Sequence, residues 1–345
     1  MAEARPNFKY MDVARGLALS LVIISHANGL NLYLIFYYIQ IFFIISGYVY
    51  RPGRSYGENI KKKAVRLLVP YFGYSALLWT FYAIIRRNAD EVLHSLFGVL
   101  YSRFYFYKVG LREDPVSLLD IANGAMWYLT AFFVTALLFH LIVDKCLANW
   151  KITVAWSVAL LLISMGLNEL PILLPWSLDI VGVTTVLMLI GAWMRKVEFF
   201  EKKENFWMVA GMLLIYLGTA TFNGYLNTSV RIYGKFDSLS VPFYMIVSVS
   251  GSVLCIWVSK WIQNLKIGKL LAYLGTHSME LICVHMVVLE VFEIVAMRLF
   301  DVHAFAGIAM VLYQAVRITV AVLTSLFAGW IIALLKQKLI PKKAQ

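Results

Sequence analysis

The sequence predicts an all-α, polytopic transmembrane helical bundle of about ten spans with both termini in the cytoplasm. Three observations predict it. Of 345 residues, 61% are hydrophobic and only 14% charged, against roughly a quarter charged in a soluble domain. The apolar residues fall in runs close to the ~20 residues that a helix needs to cross a bilayer. Basic residues are rich in alternate connections and poor in the others, which is the pattern that orients membrane helices.

The spans follow in order. Residues 16–50 carry no Lys, Arg, Asp or Glu, too long for one crossing and right for two. The turn chemistry of Asn28-Gly29-Leu30-Asn31 divides them, giving span 1 over about 10–29 and span 2 over about 32–50. The start imitates a signal peptide, but Arg15 and His26 interrupt the run and no small-residue cleavage pattern follows, so it reads as an uncleaved first span. After a basic loop at 51–65, span 3 runs from Arg66 to about Ile85. Residues 86–120 form the longest polar connection. Span 4 covers 121–143, and spans 5 and 6 cover about 152–168 and 178–194 around the Pro171–Pro175 turn. Spans 7 and 8 occupy about 206–223 and 239–259, span 9 about 271–297, and span 10 about 308–335. One transmembrane domain, 8–335, and a short basic cytoplasmic tail, 336–345, account for the chain.

Orientation comes from counting. Of the 31 Lys and Arg, 22 fall in the connections on the amino-terminal side of the membrane, eight on the other, and Arg317 lies inside span 10. Basic loops stay cytoplasmic, so both termini are inside, and the expected location is the cell inner (plasma) membrane. The net charge of +12 is explained by these loops and does not call for nucleic acid. Cys146, Cys255 and Cys283 are scattered without ligand spacing, so neither a disulfide framework nor a metal centre is expected.

Ionisable residues in hydrocarbon cost at least about 2.5 kcal/mol each by insertion scales, so those that stay there need a reason. Arg15 and His26 are eleven residues apart, which returns to nearly the same helix face about 16 Å further along. An arginine at one surface could hold a phosphate whose extended arm reaches the imidazole. Snorkelling of Arg15 to lipid phosphate and capping by His26 is the plainer alternative. Lys63 and Arg66, three apart at the start of span 3, could receive a phosphate beside free helix-start amides, or belong to an ordinary polybasic loop on anionic lipid. Arg317 should face the bundle interior with a partner, and Glu280, Glu290 and Glu293 of span 9 are the candidates. His140, His277 and His285 each read as hydrogen-bonded packing residues when taken alone. The aromatic stretch 95–107 suits either sugar stacking or an interfacial helix.

Several short segments resemble the acyltransferase 3 family, and they occur in that family's order. Tyr10-Met11-Asp12-Val13-Ala14-Arg15-Gly16, with His26 eleven past the arginine, is similar to its opening. Phe42-Phe43-Ile44-Ile45-Ser46-Gly47-Tyr48 resembles its second span, and Lys63 to Tyr71 its basic motif. Trp127-Tyr128-Leu129 resembles its span 4 signature, and Leu274-Gly275-Thr276-His277-Ser278 with His285 its span 9 pattern. Departures exist: Ser25 stands where a glycine is common, Lys63 where many members have arginine, and no histidine precedes Trp127. Lysine lacks the planar fork of arginine, so phosphate geometry would differ.

The resemblance implies an O-acyltransferase with no bound cofactor, using acyl-CoA (acetyl-CoA foremost) as donor substrate. The acceptor would be a hydroxyl of a cell-envelope or exported carbohydrate, free or lipid-linked. By that resemblance Arg15 and His26 are the essential pair, and Lys63, Arg66 and Arg15 bind acyl-CoA. Ser46, Trp127, Glu290, His285 and Arg317 stand as supporting residues. Histidine, with an unperturbed pKa of about 6.5, can take a hydroxyl proton at neutral pH. Glu290, Asp120 and Asp179 are the candidates to orient it. Other partners expected are the bilayer and no nucleic acid, with oligomerisation left open. Intramembrane charges equally suit a transporter or flippase for a lipid-linked glycan, although no inverted repeat is evident. A membrane glycosyltransferase would want acidic residues beyond span 1, and none occurs between Gly16 and Tyr50.

Overall fold

The computed structural model describes residues 8–27, 39–53, 55–86, 89–103, 105–108, 124–224, 226, 231 and 234–339. The proposed turn at Asn28–Asn31 and Asp120 lie outside them. The described residues form twelve α-helices: α1 (Lys9–His26), α2 (Gln40–Tyr48), α3 (Tyr56–Arg86), α4 (Ala89–Tyr101), α5 (Trp127–Ala148), α6 (Trp150–Asn168), α7 (Val181–Lys196), α8 (Phe206–Asn223), α9 (Ser240–Ile262), α10 (Lys266–Thr276), α11 (Ser278–Leu299) and α12 (Gly307–Leu339). The β structure among them is one isolated antiparallel bridge, Tyr107 to Ile172.

Among the described residues, seven helical segments are long and apolar enough to cross a membrane: Tyr56–Ile84, Gly124–Ala148, Trp150–Asn168, Pro175–Lys196, Phe206–Asn223, Asp237–Ile262 and Gly307–Leu335. They coincide with expected spans 3 to 8 and span 10. The first span is present as α1, but Lys9, Asp12 and Arg15 share its 18 residues. The second is described over the nine residues of α2.

Three boundaries differ from the sequence reading, each for a physical reason. The expected ninth span is two helices, because the backbone leaves the helix at His277 (φ −102°, ψ 26°). The break falls in the short polar stretch Gly275-Thr276-His277-Ser278, and no proline marks it. The third helix starts at Tyr56, ten residues before Arg66, because Ser55 and Glu58 cap it reciprocally: the Glu58 amide donates to Ser55 Oγ and the Ser55 amide to the Glu58 carboxylate, both at 3.3 Å. This is the capping-box pattern, which satisfies two amides that helix starts leave orphaned. Helix α12 continues to Leu339, four residues into the segment read as a tail.

The chain forms two compact units, residues 1–31 with 263–345, and residues 32–262. In the first, α1 packs on α10 and α11, and α11 packs on α12. The approach of α1 to α10 is set by two glycines. A Cβ on Gly16 would collide with the Leu271 carbonyl, and one on Gly275 with the carbonyl of Asp12. The two backbones therefore touch, as small residues permit between membrane helices.

The second unit repeats the device. A Cβ on Gly47 of α2 would meet the Met188 carbonyl, and one on Gly191 of α7 the Ile44 carbonyl. Around this crossing pack α5, α6 and α9. The far end of α6 is tied down by a fully buried cluster. Arg103 donates to Ser177 Oγ and to Asp179 Oδ2, both at 2.8 Å. Arg231 Nε lies 3.7 Å from the same Asp179 oxygen, and its Nη1 donates to the Leu167 carbonyl at 2.5 Å. Trp176 and Ser177 hold left-handed backbone (φ 52° and 58°) here, a conformation that needs surrounding structure to impose it. Helix α4 covers the first part of the aromatic stretch 95–107. Residues 89–101 are helical with Leu93, Phe97 and Leu100 exposed.

Candidate functional site

In the first unit, one face of α11 carries most of the chemistry. Leu281, His285, Leu289 and Glu293 follow at steps of four, so they line one stripe of the helix. The first three are buried. His285 Nδ1 sits 2.6 Å from the Leu281 carbonyl of its own helix. Its Nε2 lies 2.9 Å from Nδ1 of His26, at the last position of α1. The two ring planes are 4° apart with centroids at 5.2 Å. That separation fits two parallel rings joined edge to edge through one hydrogen bond.

The protons of this pair follow from their acceptors. A carbonyl can only accept, so His285 Nδ1 bears hydrogen toward Leu281. A neutral imidazole then presents Nε2 as an acceptor, and His26 Nδ1–H donates to it. What remains on His26 is the lone pair of Nε2. His26 itself is half-buried while His285 is fully buried. The arrangement is a neutral base whose tautomer is fixed by a second histidine.

Arg317 of α12 is 3% exposed. Its Nε donates to the Leu289 carbonyl at 3.1 Å, Nη1 to the Ala27 carbonyl at 3.4 Å, and Nη2 to Glu293 at 2.5 Å. Among the three glutamates proposed from sequence, Glu293 is thus its partner. Glu290 is exposed. Arg15 is partly exposed and pairs with Asp12 at 2.6 Å, one turn earlier on α1. That partner was missed in the sequence although the i, i+3 spacing and the shared motif could have shown it.

In the second unit, Lys63 and Arg66 meet different surroundings. Lys63 shares a stripe of α3 with Leu67, Tyr71 and Ser75, all buried. It turns inward, donating to Ser46 Oγ at 3.3 Å with its ammonium 4.8 Å from the centre of the Phe132 ring. Arg66 is exposed. The helix starts seven residues before Lys63, so the helix-start amides lie a full turn or more ahead of the basic pair, and Ser55 takes those of Glu58 and Asn59. Phe132 in turn stacks on Phe43 at 5.2 Å, linking the second-span motif to α5. Nearby on α5, His140 Nδ1 donates to the Ala136 carbonyl at 2.8 Å, as its packing reading required. Trp127 is buried against Ala131, Ile180, Ile39 and Tyr128, so its present contacts are those of a core residue.

Asp179, one of the orienting candidates, has its carboxylate in the buried Arg103 cluster of the second unit. The side chain bonded to His26 in its own unit is His285, which the sequence offered as a packing residue when taken alone and as a supporting residue by the family resemblance. A single-helix view could not pair residues 259 positions apart.

No curated protein and no solved structure is significantly similar to the chain. The family model described as an acyltransferase domain, Acyl_transf_3, matches residues 8–335. With nearly its whole length matched, and with the resembling motifs placed on α1, α2, α3, α5 and the α10–α11 break, this chain belongs to the acyltransferase 3 family.

Proposed function

We propose that the protein is an inner-membrane O-acyltransferase that moves an acyl group, acetyl foremost, from acyl-CoA to a hydroxyl of a cell-envelope or exported carbohydrate. The observation that carries this reading is the 2.9 Å bond between His26 Nδ1 and His285 Nε2, which leaves Nε2 of His26 as the acceptor. Its Nε2 accepts the proton of the sugar hydroxyl as the oxygen attacks the thioester carbonyl. The carbon–sulfur bond breaks, and the CoA thiolate takes that proton back from Nε2. Atoms and charge balance, and His26 serves as base and then acid. The hydrogen-bond chain through His285 ends on a backbone carbonyl, so it offers the proton no other exit. A general base of this kind contributes about 10²–10⁴-fold.

Phosphate binding is assigned to Arg15, Lys63 and Arg66. Lys63 is a point charge held on Ser46 and an aromatic face, suited to a single phosphate oxygen rather than a bidentate fork. Arg66 is exposed and reaches a ligand from solvent. The ten-span arrangement with both termini cytoplasmic belongs to the same proposal, supported by the distribution of Lys and Arg.

The deciding experiment uses purified full-length protein with labelled acetyl-CoA and envelope glycan fragments. The wild type should release free thiol and yield an acetylated sugar. His26→Ala should do neither while eluting as a folded protein. Undiminished acetyl transfer by that variant, or transbilayer movement of glycan with no thioester loss in the wild type, would defeat the reading.

A further inference from the structure

We infer that Arg317 is the positioning residue of the His26–His285 pair; the functional part of this inference rests on the acyltransferase reading above. One guanidinium holds the backbone beyond each ring, one residue after His26 and one turn after His285. Its Nη1 grips the carbonyl of Ala27, the residue after His26. Its Nε grips the carbonyl of Leu289, one turn past His285 on α11. Glu293, a further turn along, neutralises it through Nη2.

This geometry answers a question that the histidine bond leaves open. His26 stands at the last turn of α1, where carbonyls have no intrahelical partner and the helix is free to fray. A single imidazole–imidazole bond does not fix the direction in which Nε2 points. Arginine does so because its planar fork spans three acceptors at once, on two helices, from a third. A cation at the carboxyl end of α1 also suits the helix dipole. Lysine has the charge but not the span. Thus α12 sets the spacing of α1 from α11 through one guanidinium.

The test reads geometry and turnover separately. Protein labelled with ¹⁵N-histidine in nanodiscs should show the coupling across the hydrogen bond between His26 Nδ1 and His285 Nε2. Arg317→Gln and Arg317→Lys should both lose that coupling. Turnover per folded molecule should fall about 10²-fold, the scale of misplacing a reacting group by roughly an ångström, with KM for acyl-CoA unchanged. Glu293→Gln removes the ion pair but leaves both carbonyl bonds, so it should keep the coupling. If Arg317→Gln does not fold, the lysine and Glu293→Gln variants decide. Coupling retained in Arg317→Lys, or lost in Glu293→Gln, overturns the inference. Should His26→Ala keep full turnover, the catalytic reading falls, and the coupling still decides whether Arg317 positions the pair.

Discussion

Nδ1 of His26 and Nε2 of His285 are 2.9 Å apart in parallel rings, although 259 residues separate them in the chain. The bond joins the end of α1 to the middle of α11. It leaves the outer nitrogen of His26 as the acceptor, and so decides which atom can perform base chemistry.

Loss of the second histidine should therefore lower rate rather than binding. His285→Phe keeps a planar ring in the buried slot and removes the acceptor. It should reduce kcat by up to the about 10²–10⁴-fold that a general base supplies, with KM for acyl-CoA within about twofold. Steady-state kinetics over both substrates check this, and a pure KM effect would count against tautomer control.

Lys63 should show the opposite signature. Lys63→Ala should raise KM for acyl-CoA by about 10- to 100-fold, the equivalent of one charge-assisted hydrogen bond at about 1.5–3 kcal/mol. The acceptor KM should not move. Ser46→Ala should give a smaller rise, because it removes only the support at 3.3 Å. Titration of acyl-CoA at saturating acceptor measures both, and equal kcat losses without KM change would remove Lys63 from phosphate binding.

Backbone contact between α1 and α10 leaves no room for a methyl group. Gly16→Ala and Gly275→Ala should each destabilise the first unit by at least the about 1–3 kcal/mol of overpacking, since the obstacle in each case is a carbonyl rather than a flexible side chain. Gly57→Ala, which meets open space, is the control. Thermal unfolding in detergent should fall for the first two and hold for the third.

Asp179 should matter to stability and not to acyl transfer by the folded fraction. Its side chain and that of Arg103 are fully buried, so Asp179→Ala strands a buried cation at a cost of about 3–5 kcal/mol. A lower unfolding temperature with normal kcat per folded molecule is expected. A selective loss of kcat would mark Asp179 as part of the reaction.

Much of this was legible in the chain itself. Length and hydrophobicity of the runs placed spans 5, 7 and 8 within a few residues of α6, α8 and α9, because burial in lipid forces every backbone group into helix. The motif order pointed to the family, and the cost of charge in hydrocarbon singled out Arg15, His26 and Arg317. Other features depended on contacts that no local pattern encodes. The break at His277 has no proline to mark it, and Gly275-Thr276-His277-Ser278 is too short to divide the span by hydropathy alone. The inward turn of Lys63 is decided by the face of α3 that packs, and the start of that helix by a cap rather than by hydropathy.

By itself the sequence determined that this is a helical membrane protein of the acyltransferase 3 family and which polar residues are costly enough to serve a purpose. Only the tertiary structure decided the partnerships: His285 with His26, Glu293 with Arg317, Arg103 with Asp179, Ser46 with Lys63. The physical reason is that hydropathy and helical period are properties of neighbours along the chain. A hydrogen bond between side chains on different helices depends on rotation and crossing, and these are set by where backbones touch at Gly16, Gly47, Gly191 and Gly275.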